Sequence, residues 1–279
     1  MRHIEQIETG SFVQALHIPA RPDMIRVVSW NINRGLQLSG IVEFLSESSA
    51  DLILLQEADV NARRTQYRNI ACEIAQALQM NYVFGREFEE LAQGHHGSPA
   101  YHGQATLSKL PILSSRILTF GRQSGFWRPR WFVPHLELSQ RRLGGRMALV
   151  SRVVWSERQL LVYNLHLESR GSDRLRSGQL AEVITDIHQS GSHLPVVVGG
   201  DFNFELLGEP GRSVVNGTTL RNPFNNGDIR PTTVQPRLGP RRAVDWILVG
   251  GPIRYSRPEL HDNVVASDHY PLSVELSND

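Results

Sequence analysis

The chain has 279 residues, a formal net charge of +1 and a single cysteine, Cys72. The near-neutral charge argues against a polybasic protein that binds nucleic acid everywhere, and one cysteine excludes both an intramolecular disulfide framework and a multi-cysteine zinc site. No apolar run approaches the roughly 18 residues of a membrane span, and the first 20 residues lack the apolar core of a signal peptide, so we expect a cytoplasmic protein without stable membrane insertion.

Strand and helix patterns alternate in the first third of the chain. Residues 1–22 are interpreted as an N-terminal extension, and residues 23–279 as one domain. Strands are predicted at 24–30, 51–57 and 82–84, and helices at 41–45 and 70–78. In the second strand a period of two places Ile53, Leu55 and Glu57 on one face, so that a carboxylate continues an apolar row.

After Gly103 the pattern changes to strands joined by short polar turns, which is typical of antiparallel pairing. A helix is predicted from about Asp173 to His188. Strands are predicted at 105–108, 112–118, 147–155, 159–167, 196–198, 245–249 and 270–276. The combination indicates mixed sheets with helices packed outside them.

Two long irregular segments, 121–145 and 208–242, interrupt these elements. The first segment interleaves arginines with aromatic residues, a combination suited to a groove for phosphates and bases. Its candidate substrate contacts, together with the arginine that follows it, are Trp127, Arg128, Trp131 and Arg146. The alternative is a loop whose aromatic side chains fold back onto the core.

Polar residues recur where apolar strands end. Asp201 and Asn203 directly follow the apolar run 195–198, although an Asx turn would also explain this pair. The other members are Asn31, Glu57, Asn164, His166, Asp245, Asp268 and His269. Each has an ordinary structural explanation, but together they predict one site. Because the residues of this site come from nearly the whole length of the chain, we expect a single domain.

The chemistry of these residues favours a metal-assisted reaction on phosphate. Glu57 and Asp268, with Asn31 beside them, suit Mg²⁺, for which Mn²⁺ can substitute. His166 and Asn203 can donate hydrogen bonds to a phosphoryl oxygen. A separate zinc site at His95, His96 and His102 is disfavoured because these residues lie in a Gly-rich stretch without a cysteine or regular ligand spacing, which we interpret as a solvated loop.

The order and spacing of these motifs resemble the endonuclease/exonuclease/phosphatase superfamily from Arg26 to Leu276. The main motifs are Ser29-Trp30-Asn31-Ile32-Asn33, Leu54-Leu55-Gln56-Glu57, Asn164-Leu165-His166-Leu167-Glu168, Gly200-Asp201-Phe202-Asn203, Arg230-Pro231-Thr232-Thr233, Val244-Asp245-Trp246 and Ser267-Asp268-His269. The resemblance implies an α/β (α+β) fold, a four-layer α/β/β/α sandwich of two mixed, mainly antiparallel sheets flanked by helices.

The resemblance also implies a role for each site residue. Glu57 would be the principal metal ligand, with Asn31 and Asp268 near the metal. His166 and Asn203 would contact the phosphate, and Asp201 and His269 would lie around the attacking water. Asp245 would orient His269. Whether Asp201 or His269 is the general base stays open at this point.

The predicted function is a divalent-metal-dependent phosphoester hydrolase that uses in-line attack by water, with a nuclease acting on DNA as the favoured hypothesis. A phosphatase or phosphodiesterase on phospholipid headgroups, inositol phosphates or other small phosphoesters is the alternative. A binding module that has lost catalysis is disfavoured because every expected catalytic residue type is present. The predicted partner is a phosphoester substrate, nucleic acid by preference, and no protein partner is implied.

Overall fold

The computed structural model describes residues 7–14, 23–95, 97–127, 141–191, 193–224, 230–234 and 240–278. Within these residues thirteen strands and four α-helices are present. The strands are β1 (Ile7–Ser11), β2 (Met24–Arg34), β3 (Leu52–Val60), β4 (Asn81–His95), β5 (Ser98–Ser108), β6 (Ile112–Thr119), β7 (Arg142–Gly144), β8 (Met147–Trp155), β9 (Arg158–His166), β10 (Val196–Asp201), β11 (Asp245–Gly250), β12 (Ile253–Leu260) and β13 (Leu272–Asn278). The helices are α1 (Leu38–Glu47), α2 (Ile70–Ala77), α3 (Asp173–Gly191) and α4 (Gly211–Val215).

The strands form two mixed sheets. The larger has the order β1-β4-β5-β3-β2-β13-β12, with β7 paired to β4, and the smaller has the order β11-β10-β9-β8-β6. The pairs β2–β3 and β9–β10 are parallel, whereas the other strand pairs of the described chain are antiparallel. These sheets confirm the predicted fold class.

Alternating apolar residues divide the core into layers. Val28 and Trp30 point from the larger sheet toward α1 and α2, whereas Val27, one residue away, points toward the smaller sheet. On the smaller sheet Tyr163 packs toward α3, and Val162 faces the larger sheet. The two sheets therefore lie face to face between helices, because each strand buries both of its faces.

Most predicted elements are present, with longer bounds than their sequence patterns indicated. β1, β7 and β12 were not predicted; β1 lies within the predicted N-terminal extension and pairs with β4 at the edge of the larger sheet. β12 is mostly exposed between its buried ends, Ile253 and Leu260, so it lacks the alternation that marks a half-buried strand. Among the described residues, no helix is long and apolar enough to cross a membrane.

Candidate active site

The predicted site residues meet at one edge of the paired sheets. Asn31 lies near the carboxyl end of β2 and Glu57 near that of β3, whereas His166 and Asp201 end the parallel strands β9 and β10. Asp245 begins β11, which runs antiparallel to β10, and is therefore directly opposite Asp201. The strand directions thus bring residues from distant parts of the sequence to a single cleft.

A bulge in β3 directs Glu57 into this cleft. Ile53 and Leu55 face the helices, so strict alternation would place Glu57 on that side as well. The pairing register instead shifts between Leu55 and Ala58, and Glu57 adopts a left-handed conformation with a φ of 57°. The prediction that Glu57 continues the row of Ile53 and Leu55 is wrong, because the bulge reverses its direction. This conformation costs a non-glycine residue about 1–2 kcal/mol.

The carboxylate of Glu57 is surrounded by cationic and polar groups. Its Oε1 lies 3.5 Å from Nδ2 of Asn31 and 4.0 Å from Nε2 of His166, and its Oε2 lies 3.8 Å from the Arg34 guanidinium. Burial raises the pKa of Glu57, but nearby positive charge, including that of Arg34, outweighs burial and holds the pKa well below its usual value. Glu57 is therefore ionised, and its side chain is 20% exposed to the cleft. These properties fit a cation ligand.

Asn31 and Asp268, predicted to lie near the metal, occupy different environments. Nδ2 of Asn31 donates to Asp201 at 3.1 Å, and its Oδ1 accepts from the backbone N–H of Asn33. Asn31 therefore orients Glu57 and Asp201. Asp268 is exposed and accepts from the hydroxyl of Ser267 at 3.3 Å. Within the described chain, Asp268 belongs to neither of the two groups of closely spaced His and carboxylate ligand atoms.

Asp201 lies at the centre of the cluster. Its Oδ1 accepts from the backbone N–H of Asn203 at 2.8 Å, and its Oδ2 lies 3.6 Å from Nε2 of His166 and 3.9 Å from Nε2 of His269. Burial, together with the negative charge of Asp245, raises the pKa of Asp201 to about 7. This carboxyl group can therefore exchange a proton near neutral pH.

His269 is held in its protonated form by Asp245. Nδ1 of His269 lies 2.8 Å from Oδ2 of Asp245, and the hydroxyl of Thr232 donates to the same oxygen at 2.5 Å. Burial lowers the pKa of His269, but Asp245 and Asp201 outweigh burial and raise it to about 10. Asp201 and His269, whose side chains approach within 3.9 Å, thus have opposite charges at pH 8.

His166 and Asn203 complete the set of predicted residues. Burial, with a further contribution from Arg146, holds the pKa of His166 well below its usual value, so this imidazole is neutral. Asn203 has a φ of 57°, and its Nδ2 donates to the carbonyl of Leu167 at 3.1 Å, which fixes the direction of the amide. His166 and Asn203 therefore both lie beside Asp201, and the hydrogen bond to Leu167 fixes the orientation of the Asn203 amide.

Glu87 is a site residue that sequence analysis missed. Its Oε2 lies 3.8 Å from Nδ1 of His166, and its Oε1 accepts from Arg146 at 3.0 Å. Arg146 is 2% exposed and also donates to the hydroxyl of Ser169. Arg146, which was predicted to contact substrate phosphate, is thus buried near His166 and binds Glu87 and Ser169. The position of Glu87 in the long strand β4 was not predicted because the sequence pattern indicated a strand only at 82–84.

The other candidate substrate contacts are only partly described. Nε1 of Trp127 donates to Glu168 at 3.1 Å, and its ring packs edge-on against Phe126, which is 49% exposed. Arg128 and Trp131 lie outside the described residues.

His102 and Asp59 also reach the site without having been predicted there. His102 is fully buried in β5, and its Nδ1 lies 2.8 Å from Oδ1 of Asp59 on β3. The interpretation of His102 as part of a solvated loop is wrong, because β4 and β5 extend as a paired ribbon through this Gly-rich stretch. The residues around His102 do not alternate between apolar and polar, so local periodicity did not indicate this strand position.

Comparisons with known proteins agree with this arrangement. A family model described as the endonuclease/exonuclease/phosphatase family matches residues 28–269. A search of curated protein sequences returned no match.

Three solved structures illustrate the shared fold. An endonuclease/exonuclease/phosphatase from Beutenbergia cavernae is 16% identical with a TM-score of 0.65, covering 92% of this chain and 72% of its own. The human Nocturnin catalytic domain with bound sulfate is 19% identical with a TM-score of 0.67, covering 98% and 97%. TDP2 of D. rerio, complexed with a single-strand DNA product, is 18% identical with a TM-score of 0.63, covering 91% and 99%.

Proposed function

The chain belongs to the endonuclease/exonuclease/phosphatase family, and from this premise we propose that it is a metal-dependent phosphodiesterase that cleaves nucleic acid, with DNA as the first substrate class to test. Enzymes of this family are metal-dependent hydrolases that act on phosphoesters. The observation that supports hydrolysis most directly is the pairing of Asp201 and His269, whose pKa values are shifted to about 7 and about 10. Two adjacent groups with such separated pKa values suit a base and an acid.

In the proposed mechanism, Asp201 accepts the proton of the attacking water. His269 remains protonated beside Asp245 and donates a hydrogen bond to the phosphoryl group as negative charge develops. Asn31 holds the Asp201 carboxylate in position through its amide N–H. This assignment makes Asp201 the general base and His269 the electrostatic partner.

Glu57 would hold the divalent metal, because it is an ionised carboxylate at the edge of the cleft. A bound divalent cation neutralises charge on the phosphoryl and leaving oxygens. Asp268 would act through water or through His269, whose pKa it helps to raise. Mg²⁺ is the proposed ion and Mn²⁺ the proposed substitute.

His166 and Asn203 are proposed to position the phosphate. His166 is neutral and lies 3.6 Å from Asp201, so one of its ring nitrogens can donate a hydrogen bond without adding charge. Glu87 and Arg146 would act as positioning residues, because the contact of Glu87 with Nδ1 of His166 limits the rotation of the ring. Asn203, whose backbone N–H binds Asp201, fixes the distance between base and phosphate.

Exposed aromatic and cationic groups beside the cleft support nucleic acid as the substrate class. The guanidinium of Arg170 lies 5.3 Å from the ring centre of Phe126, and Phe126 packs against Trp127. Trp127 is connected to the site through Glu168, whose Oε1 lies 4.0 Å from Arg146. Stacking on such rings stabilises single-stranded nucleic acid by about 1–3 kcal/mol per base.

A substrate panel tests this proposal. With Mg²⁺ present, we expect the purified chain to nick supercoiled plasmid or degrade single-stranded DNA faster than it hydrolyses inositol phosphates or phosphocholine esters. Phe126→Ala should weaken DNA cleavage through KM and leave cleavage of a small nitrophenyl phosphodiester unchanged. Preference for a small phosphoester would favour the phosphatase alternative, and inactivity on the whole panel would contradict hydrolysis.

The pH profile of Asp245→Asn provides a test of the proton assignment. In the wild type, kcat/KM should rise through about pH 7 as Asp201 loses its proton and fall toward about pH 10 as His269 does. The charge of Asp245 raises both pKa values, so its removal should move both limbs to lower pH. Asp262→Asn, a change at an exposed carboxylate that pairs with Arg230, is the matched control and should move neither limb. Limbs that stay fixed in Asp245→Asn would contradict the assignment.

A further inference from the structure

We propose that Glu57, His102 and His166 form a binding site for a divalent transition metal, with two imidazole nitrogens and one carboxylate as ligands. The ligand atoms of these residues lie within 4.8 Å of one another. His102 reaches this site from β5, whereas Asp201, Asp245 and His269 form a second group of closely spaced ligand atoms. This inference concerns metal binding and goes beyond the proposed hydrolysis, although both use Glu57.

The hydrogen bonds of His102 determine which of its nitrogens is available. Asp59 is bound by Arg64 through two contacts, from Nε to Oδ2 at 2.6 Å and from Nη2 to Oδ1 at 2.8 Å. Because the Arg64 guanidinium donates to both of its oxygens, Asp59 acts as a hydrogen-bond acceptor. Nδ1 of His102 must therefore carry the proton that Asp59 accepts at 2.8 Å.

Nε2 of His102 is consequently the nitrogen available to a ligand. This atom is fully buried and has no hydrogen-bond partner among the described residues. Buried polar atoms without partners are rare, and each requires an explanation. A histidine that donates one N–H to a carboxylate and leaves the other nitrogen bare has the usual arrangement of a metal ligand.

His166 provides the second nitrogen. It is also buried, and its Nε2 lies 4.0 Å from Oε1 of Glu57. Metal–ligand bonds of about 2.0–2.2 Å allow ligand atoms on one ion to be up to about 4 Å apart. The Glu57 carboxylate, whose side chain is 20% exposed, is the ligand that can move to close the remaining distance.

The donor atoms indicate which metals would bind. Mg²⁺ and Mn²⁺ prefer oxygen ligands, whereas imidazole nitrogens favour Zn²⁺, Cu²⁺, Fe²⁺ and Ni²⁺. Two histidines and one carboxylate also leave coordination positions open for water or substrate. The three ligands come from β5, β9 and β3, so no local spacing in the sequence indicates the site.

Direct metal binding tests this proposal without relying on activity. For the full chain stripped of metal and given one equivalent of Cu²⁺, which imidazole binds well, pulsed electron paramagnetic resonance should detect ¹⁴N coupling from two imidazoles. By calorimetry, H102Q should bind Zn²⁺ at least about 10-fold more weakly than wild type, and D59N about 10- to 100-fold more weakly. The exposed helix residue His188 supplies the control, since H188Q should bind as wild type does.

The wild-type spectrum keeps the test valid even if H102Q fails to fold. Absence of ¹⁴N coupling in the wild type, or equal Zn²⁺ affinities in wild type and folded H102Q, would overturn the site. Plasmid nicking in Mg²⁺ distinguishes failure of the transition-metal site from failure of the proposed hydrolase function. Nicking without nitrogen coupling contradicts the transition-metal site alone, and nitrogen coupling without hydrolysis of any panel substrate contradicts the hydrolase proposal alone.

Discussion

Chelation with EDTA should abolish hydrolysis of every phosphoester that the protein cleaves, and excess Mg²⁺ or Mn²⁺ should restore it. Glu57→Gln should then raise the Mg²⁺ concentration for half-maximal activity at least about 10-fold, because an amide replaces the ionised carboxylate. Glutamine has the same shape and tolerates the bulged conformation at position 57 about as well as glutamate. The measurement is the initial rate against Mg²⁺ concentration for wild type and variant.

A matched control comes from Glu157, an exposed residue of the β8–β9 turn. Glu157→Gln should show the wild-type Mg²⁺ dependence. Thermal unfolding gives a second measure, since a ligand that binds only the folded state raises the Tm, and this increase should shrink in Glu57→Gln. Full activity in EDTA would contradict the metal assignment, whatever the variants show.

Asp201→Asn should lower kcat by about 10²- to 10⁴-fold at pH 8, with a smaller change in KM. The asparagine amide cannot accept the proton of the attacking water, although it retains the size of the side chain. Cleavage of a nitrophenyl phosphodiester provides the assay, because its good leaving group keeps residual rates measurable. A variant that retains near-wild-type kcat would exclude Asp201 as the base.

The pH dependence of stability tests whether Asp201 is the group whose pKa is raised in the folded protein. Asp201 has a pKa of about 7 in the folded state and an ordinary value of 3.8. Between these pH values the folded chain keeps a proton that the unfolded chain has lost, so the contribution of Asp201 to stability falls as the pH rises. In metal-free buffer, Asp201→Asn should therefore lose less of its Tm between pH 4 and pH 7 than the wild type does. Parallel curves would mean that Asp201 is not the titrating group.

These expectations depend on the assembled site more than on any single motif. Asp201 alone, at the end of β10, could have been an ordinary turn residue. Its raised pKa arises because β11 places Asp245 directly opposite it and because the two sheets exclude water from both carboxyl groups. His269 is protonated for the complementary reason, since it lies between the same two carboxylates.

Gly200 illustrates how the strands approach closely enough to form this cluster. It has a φ of 147°, and a Cβ there would lie 2.0 Å from the carbonyl oxygen of Leu165 on β9. A side chain at this position would force β9 and β10 apart and separate His166 from Asp201. The glycine before Asp201 is therefore a geometric requirement of the parallel pair.

The order of most strands and helices, the fold class and the set of polar residues at strand ends could be predicted from the sequence. Alternation and helical periodicity are local properties of the chain, so the faces of Asn164 and His166 were readable without a structure. Edge strands such as β1 and β12 were not predicted, because their pairing depends on a neighbouring strand more than on their own apolar pattern.

The direction of Glu57, the presence of Glu87 and His102 beside His166, and the charges of Asp201 and His269 depend on the tertiary structure and could not be predicted from local sequence. A bulge is a change of register between two strands, and it reverses a side chain that local periodicity would place on the opposite face. The pKa of a buried group likewise depends on which charges the fold places around it, and these come from residues far away in the sequence.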